Sequence, residues 1–229
     1  WIVADELGVE PIDQEVWDLV QGPLASAISD PEGLANGKPE AFNGLVEGLV
    51  MSGLAMQKYR ISSRPASGAG HQFSHVWEME HLGMDQEPPL THGFKVGLGT
   101  ISVLALWEKV LEHDFTTLDV DTAVAKWPTA EEMEAKVRAN FTGDMLEPAV
   151  KQTMDKYLDA DALRERLEVV RSKWPTIQER CRAQVMPAAR VEKIIQAVGG
   201  IYHPAQIGLT RERFHDTYYR CQMIRSRYT

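Results

Sequence analysis

The chain has 229 residues, 44% of them hydrophobic and 25% charged, which is the profile of a folded globular protein and excludes a wholly disordered one. Its formal net charge of -9 at pH 7 argues against nucleic acid as the main partner. No run approaches the roughly 18 uninterrupted apolar residues that a membrane span requires, and two cysteines, Cys181 and Cys221, are too few for a disulfide framework, so a reducing, cytoplasmic setting is expected.

Helical signals dominate from the first residue. The chain opens on Trp1-Ile2-Val3-Ala4-Asp5 with neither an initiator Met nor a signal segment and reads as a helix already under way, so both ends are expected to be cut from a longer polypeptide. Residues 13–28 carry Val16, Leu19, Val20 and Leu24 at helical spacing behind Asp13, a suitable N-cap. Residues 39–59 carry Phe42, Leu45, Val46, Leu49, Val50, Leu54 and Met56, an apolar stripe too wide for a solvent helix. Gly44, Gly48 and Gly53 along the same segment suggest the close approach of a neighbouring helix.

The Ser/Gly/Pro stretch ISSRPASGAG, residues 61–70, turns the chain into a helix that begins between Ser67 and His71. A loop, GMDQEPPLT, separates it from a second long apolar helix over 92–111. Further helices are expected over 129–140, 147–158, 161–173 and 190–198, with a last one over 210–223. There is no period-2 alternation of useful length. The fold class expected is therefore all-α, one multi-helix, bundle-like domain over residues 1–229. Trp77, Trp107, Trp127 and Trp174 are expected in its core, with Met51, Met56, Met79 and Met84 filling gaps. In the basic C-terminal stretch, Phe214, Tyr218 and Met223 are expected to face inward and the arginines outward. Cys181, between Arg180 and Arg182, has no base beside it and reads as an unreactive thiol.

The candidate chemistry lies in the histidines. His71, His75, His81 and His92 are four of the seven in the chain. His71 and His75 stand at i and i+4 and share a helix face, a spacing that holds a metal, or one ligand and one proton-transfer group, or nothing more than two packed rings. His92 opens the next helix and can converge on the same point; two neutral imidazoles make a partial site for a borderline divalent ion that a carboxylate would complete. His81 and His113 read as ordinary, partly exposed residues.

SSRPASGAGHQFSHVWEM followed by THGFKVGLGT resembles the signature region of glycerol-1-phosphate dehydrogenases, within the superfamily of iron-containing alcohol dehydrogenases and dehydroquinate synthases. WIVADELGVEPID at the start and YRCQMIRSRYT at the end resemble the same family. The resemblance implies that this chain corresponds to the C-terminal, helical half of a two-domain dehydrogenase. It implies His71 and His92 as ligands of a catalytic divalent metal (Zn, Ni or Fe), with His75 beside the substrate to hydrogen-bond or transfer a proton. The implied reaction is reduction of dihydroxyacetone phosphate, a small phosphorylated substrate, to glycerol 1-phosphate in phospholipid biosynthesis, in a homodimer. NAD(P)H would be bound mainly by an N-terminal half absent from this sequence, as is the third metal ligand, an Asp.

Within that resemblance, Ser63, Arg64 and Ser67 can cradle the substrate phosphate; the bland alternative is that Ser67 only caps the helix and Arg64 only pairs with an acid. Lys95 faces the same cleft or, more simply, solvent. Gly70 and Phe94 depart from a pattern that has polar or acidic residues there, and without the missing half the chain alone is expected to be inactive. Dehydroquinate synthase is the nearest alternative in the superfamily, and a non-catalytic helical module for binding or dimerisation is another. The His113-Asp114 pair also resembles, loosely, the metal site of HD phosphohydrolases, a reading that requires both residues at the metal.

Overall fold

The computed structural model describes residues 1–227, so Tyr228 and Thr229 of the C-terminal motif lie outside the described residues. Among the described residues there are twelve α-helices, joined by loops and 3₁₀ turns, and no strand, as expected of an all-α chain. They are α1 (Ile2–Glu6), α2 (Gln14–Ala27), α3 (Pro31–Ala35), α4 (Pro39–Lys58), α5 (Ala69–Met79), α6 (His92–Val110), α7 (Val120–Ala125), α8 (Ala130–Asn140), α9 (Leu146–Met154), α10 (Ala160–Gln184), α11 (Ala188–Ala197) and α12 (Arg211–Arg220).

Local chemistry sets most helix starts. The Asp13 carboxylate accepts from the Val16 N–H at 3.1 Å, and the Asp159 carboxylate accepts from Ala162 at 2.9 Å, each satisfying a donor that the first helical turn leaves unpaired. At α8, Thr129 and Glu132 form a reciprocal capping box. Three extents differ from the expected ones, the simplest being the helix expected over 147–158, which ends at Met154. The helix expected over 161–173 runs on through Pro175 to Gln184, because Trp174, Ile177 and Cys181 all bury their side chains there and outweigh one missing backbone donor. The last expected helix breaks at Arg220, and Cys221–Ile224 tightens into a 3₁₀ turn.

The main core is built where α5 and α6 meet α8, α9, α12 and the 3₁₀ turn, around Phe73, Val76, Trp77, Leu98, Val137 and Phe141. Trp77 is fully buried, and its Nε1–H donates to Thr217 Oγ1 at 3.0 Å, so its one polar atom is not stranded. A second cluster packs α1 against α10 through Ile2, Leu7, Trp174 and Ile177, and a third joins α2 to α4 through Val16, Ala55 and Tyr59. The arginines of the C-terminal stretch do not all face outward. Arg213 donates to Glu80 Oε2 at 2.6 Å and Arg220 pairs with the same carboxylate, tying α12 to the end of α5. Both cysteines are buried, and burial pushes the Cys221 thiol up to about 12 and the Cys181 thiol upward as well, so neither is poised to react.

Three assignments to the core need correction. Met84 is 51% and Trp127 37% exposed; Trp127 instead lies stacked on Tyr157 and donates to the Leu158 carbonyl at 2.8 Å. The α4 stripe is also largely outside. Gly44 and Gly48 do meet α2 closely, at Ser26 and Ala27, but nothing stands within 4 Å of where a Gly53 side chain would be. Phe42, Val46, Leu49, Val50 and Leu54 are 40–63% exposed.

Candidate metal centre and phosphate loop

The site is made by the crossing of α5 and α6. Two glycines let these helices meet backbone to backbone: a Cβ on Gly99 would lie 2.3 Å from the Gly70 carbonyl oxygen, and one on Gly70 would lie 2.8 Å from Thr100 Oγ1. Gly70 is therefore a packing requirement, which accounts for the absence of a polar residue there. The contact brings the first residue of α6, His92, against the face of α5 that carries His71 and His75. The Thr91 hydroxyl caps α6 by accepting from Phe94 N–H.

The ring centroids are 5.4 Å apart for His71 and His92, 5.8 Å for His75 and His92, and 6.3 Å for His71 and His75. Two imidazoles on one tetrahedral ion, with metal–nitrogen bonds of about 2.1 Å, place their ring centres about 5 Å apart. The His71–His92 pair is close to that spacing and His75 stands further off. Burial pushes His71 and His75 below the ordinary imidazole range, His71 further through the neighbouring His92 and His75 and then Arg227, and His75 through Arg225. Both rings are thus biased toward the neutral form that a metal takes. Among the described residues no group of three or more His, Cys, Asp or Glu side chains encloses an ion. The donors present fit as a two-nitrogen half-site for a borderline divalent ion, with a further ligand still required.

A carboxylate does stand beside the rings. Glu78 Oε1 is 2.7 Å from His92 Nδ1, and Glu78 Oε2 is 3.5 Å from His75 Nδ1. Sequence reasoning passed over Glu78, although His71, His75 and Glu78 are spaced i, i+4 and i+7 on one helix face. Arg225 and Arg227, expected to face outward with the other arginines of the C-terminal stretch, instead act electrostatically on His75 and His71, and only the fold brings that segment back to these histidines.

The loop before α5 is organised from a distance by Glu10. It accepts from Tyr59 Oη at 2.8 Å and Ser62 Oγ at 3.1 Å on one oxygen, and from Arg64 Nε at 2.7 Å on the other. Arg64 thus pairs with an acid. Ser67 does not cap the helix, since Gly68 occupies the N-cap and no side chain caps it. Ser63 accepts backbone N–H groups of Ala66 and Ser67 through its carbonyl, folding the loop into a turn.

The Glu10 cluster has a pH signature. Burial works against the Glu10 carboxylate, but the hydrogen bonds from Arg64 and Tyr59 and the Arg64 charge hold its pKa below the usual value. A depressed folded-state pKa means stability that is complete above the unfolded value of about 4.3 and is lost as pH falls through the folded value. Glu10→Gln should cost about 2 kcal/mol at neutral pH, and that cost should shrink as pH falls below about 4. Urea unfolding at several pH values checks it; a cost that does not change with pH would show that the charge contributes nothing.

The other candidates take structural places. His81 holds φ 56°, in the left-handed region, and the Leu82 N–H closes onto the Trp77 carbonyl at 2.8 Å, so His81 terminates α5. Asp114 caps the 3₁₀ turn Phe115–Thr117. His113 follows α6 at the end opposite His92, beyond a helix about 27 Å long at a rise of 1.5 Å per residue, so the HD-type reading loses its shared centre. Lys95 is 2% exposed and Phe94 40%, so Lys95 is buried where solvent was the simpler expectation. Neither a cavity of about 390 Å³ lined by Trp127, Lys156, Met223 and Arg227 nor another of about 570 Å³ lined by Leu98, Tyr202, His203 and Tyr218 is lined by His71, His75 or His92. The histidine site is an open face, with His92 about half exposed.

Several curated proteins are similar to this chain. A glycerol-1-phosphate dehydrogenase (NAD(P)+) of Geobacillus thermodenitrificans is 27% identical over 209 residues, 91% of this chain and 42% of that protein. The Archaeoglobus fulgidus protein of the same name is 29% identical over 180 residues, 78% of this chain and 46% of its own length. That of Halalkalibacterium halodurans is 37% identical over 108 residues, 47% of this chain and 27% of its length. The chain thus spans less than half the length of the curated relatives it matches. No family model matches it, and no solved structure does. Among the described residues, no helix is long and apolar enough to cross a membrane.

Proposed function

We propose that this chain supplies the metal and substrate side of an enzyme that reduces dihydroxyacetone phosphate to sn-glycerol 1-phosphate with NAD(P)H. The observation that carries the reading is the convergence of His71 and His92, from two helices crossed at Gly70 and Gly99, at a spacing suited to one ion. Similarity to glycerol-1-phosphate dehydrogenases over 91% of the chain supports it independently. A divalent ion bound there would polarise the substrate ketone, and the nicotinamide would supply hydride.

The chain's own residues have the remaining work. His71 and His92 each give one imidazole nitrogen, and both rings are held by the α5–α6 contact rather than by a flexible loop. His75, further from the other two rings, faces the substrate and delivers a proton to the oxygen that becomes the new hydroxyl. Ser63 and Ser67 hold the phosphate by hydrogen bonds, and Arg64, already paired with Glu10, adds its charge from within that pair. The dinucleotide site, the third metal ligand, a homodimeric, cytoplasmic enzyme and a place in phospholipid biosynthesis belong to the same proposal. They rest on the family resemblance of the sequence rather than on the geometry of residues of this chain.

The test uses the polypeptide in which this chain occurs, purified from its source cells. It should oxidise NAD(P)H only with dihydroxyacetone phosphate present, yield the sn-1 enantiomer, and stop on chelation. The 229-residue chain by itself should bind Zn²⁺ or Ni²⁺ without turnover. Failure of the purified protein to consume NAD(P)H with that ketone, or formation of the sn-3 enantiomer, would overturn the assignment.

A further inference from the structure

The His71–His75–His92 group has a fourth member. His71, His75 and Glu78 succeed one another on a partly buried edge of α5 at spacings of four and three residues, so their side chains rise on the same side of the helix. The Glu78 carboxylate reaches across to α6, 2.7 Å from His92 Nδ1, and its other oxygen lies 3.5 Å from His75 Nδ1. A carboxylate only accepts hydrogen bonds at neutral pH, so at the shorter distance the proton resides on Nδ1 of His92. The lone pair of the neutral ring is then on Nε2, on the other side of the imidazole. Which nitrogen of a histidine carries the proton is set by the partner of the other nitrogen.

We infer that Glu78 is a positioning residue that fixes the tautomer and the orientation of His92, and so presents Nε2 as a preformed donor. The role rests on the metal reading of His92 given above. It gives the chain a carboxylate support for a ligand whose neighbour Phe94 cannot provide one. It also spans the helix crossing, so the same side chain that selects the nitrogen keeps the first turn of α6 against α5. His75 is held more loosely, at the longer distance, as suits a ring that must exchange a proton rather than remain ligated.

The experiment compares the 229-residue chain with its Glu78→Ala, Glu78→Gln and His92→Ala variants. In the metal-free proteins at about pH 8, above the ordinary imidazole pKa of about 6.5, long-range proton–nitrogen correlation spectra report the tautomer of His92. The parent chain should show the Nδ1–H form, Glu78→Ala a mixture, and Glu78→Gln, which keeps an acceptor, mostly the Nδ1–H form. Titration with Co²⁺ alone should then show affinity about 10- to 100-fold weaker for Glu78→Ala, with partial rescue in Glu78→Gln and a larger loss in His92→Ala.

An unchanged tautomer in Glu78→Ala would overturn the inference. So would equal losses of Co²⁺ affinity in Glu78→Ala and Glu78→Gln with the tautomer intact, because that pattern belongs to a direct ligand. If the parent chain bound no Co²⁺, the metal reading would fall, and the tautomer measurement would still decide what Glu78 does. Melting temperatures near that of the parent, recorded for each variant, separate these outcomes from unfolding.

Discussion

Replacing Gly99 with alanine should destabilise the chain by about 2 kcal/mol or more, whereas Gly53→Ala should stabilise it by up to about 1 kcal/mol, though each exchanges glycine for alanine inside a helix. Both gain about 1 kcal/mol of helix propensity. At Gly53 nothing stands within 4 Å of the new methyl group, so that gain is kept. At Gly99 the methyl would lie 2.3 Å from the Gly70 carbonyl oxygen and 3.0 Å from the Phe73 Cβ. Neither neighbour can turn aside, because one is backbone and the other is the root of a side chain buried between α5 and α6. Overpacking of this kind costs about 1 to 3 kcal/mol, and more where backbone must move. Against the propensity gain, the clash wins.

For a domain of this size each kilocalorie shifts the melting temperature by about 2 to 4 °C, so the two variants should part by some 6 °C or more. The crossing also sets the His71–His92 separation, so Gly99→Ala should weaken Co²⁺ binding while Gly53→Ala leaves it alone. Equal melting temperatures for the two would mean that α5 and α6 do not touch as described.

A second pair of substitutions separates the roles of neighbouring histidines. In the proposed enzyme, His71→Ala should abolish stoichiometric metal binding and lower kcat/KM by at least about 10³-fold, equivalent to about 4 kcal/mol of transition-state stabilisation. His75→Asn should leave the metal in place and lower kcat by about 10² to 10⁴-fold, the range for a lost proton-transfer group. Metal analysis beside steady-state kinetics distinguishes them. Loss of metal in His75→Asn would make His75 a ligand, and full activity in His71→Ala would remove the metal from that side chain.

How much of this was legible beforehand depended on how far apart the interacting residues stand in the chain. Helix starts with local chemistry were readable, as at Asp13 and at 129–140, because the cap and its partner are three residues apart. The extension of α10 past Pro175 was not, since it depends on burial of Trp174 and Ile177 against elements far away in sequence. The convergence of His71 and His92 could be anticipated from spacing and resemblance. The fate of Arg64 could not, since its partner Glu10 is 54 residues away. Periodicity also said which residues of α4 are apolar, and says nothing about what covers them. Glu78 was readable in principle, as the next residue on the face that holds His71 and His75.

The face of α4 that carries Phe42, Val46, Leu49, Val50 and Leu54 has a consequence for the chain as a solute. A helix of 20 residues with five large apolar side chains in water makes the molecule an amphiphile, despite a net charge of -9. Its long-range repulsion is electrostatic and decays over about 10 Å at 0.1 M salt. The short-range attraction of an oily face is instead strengthened by excluded salts such as sulfate. Raising ionic strength therefore acts twice in the same direction, screening what keeps the molecules apart and sharpening what draws them together. Ammonium sulfate fractionation should bring this chain down early for its charge, and low-salt buffers should keep it dispersed.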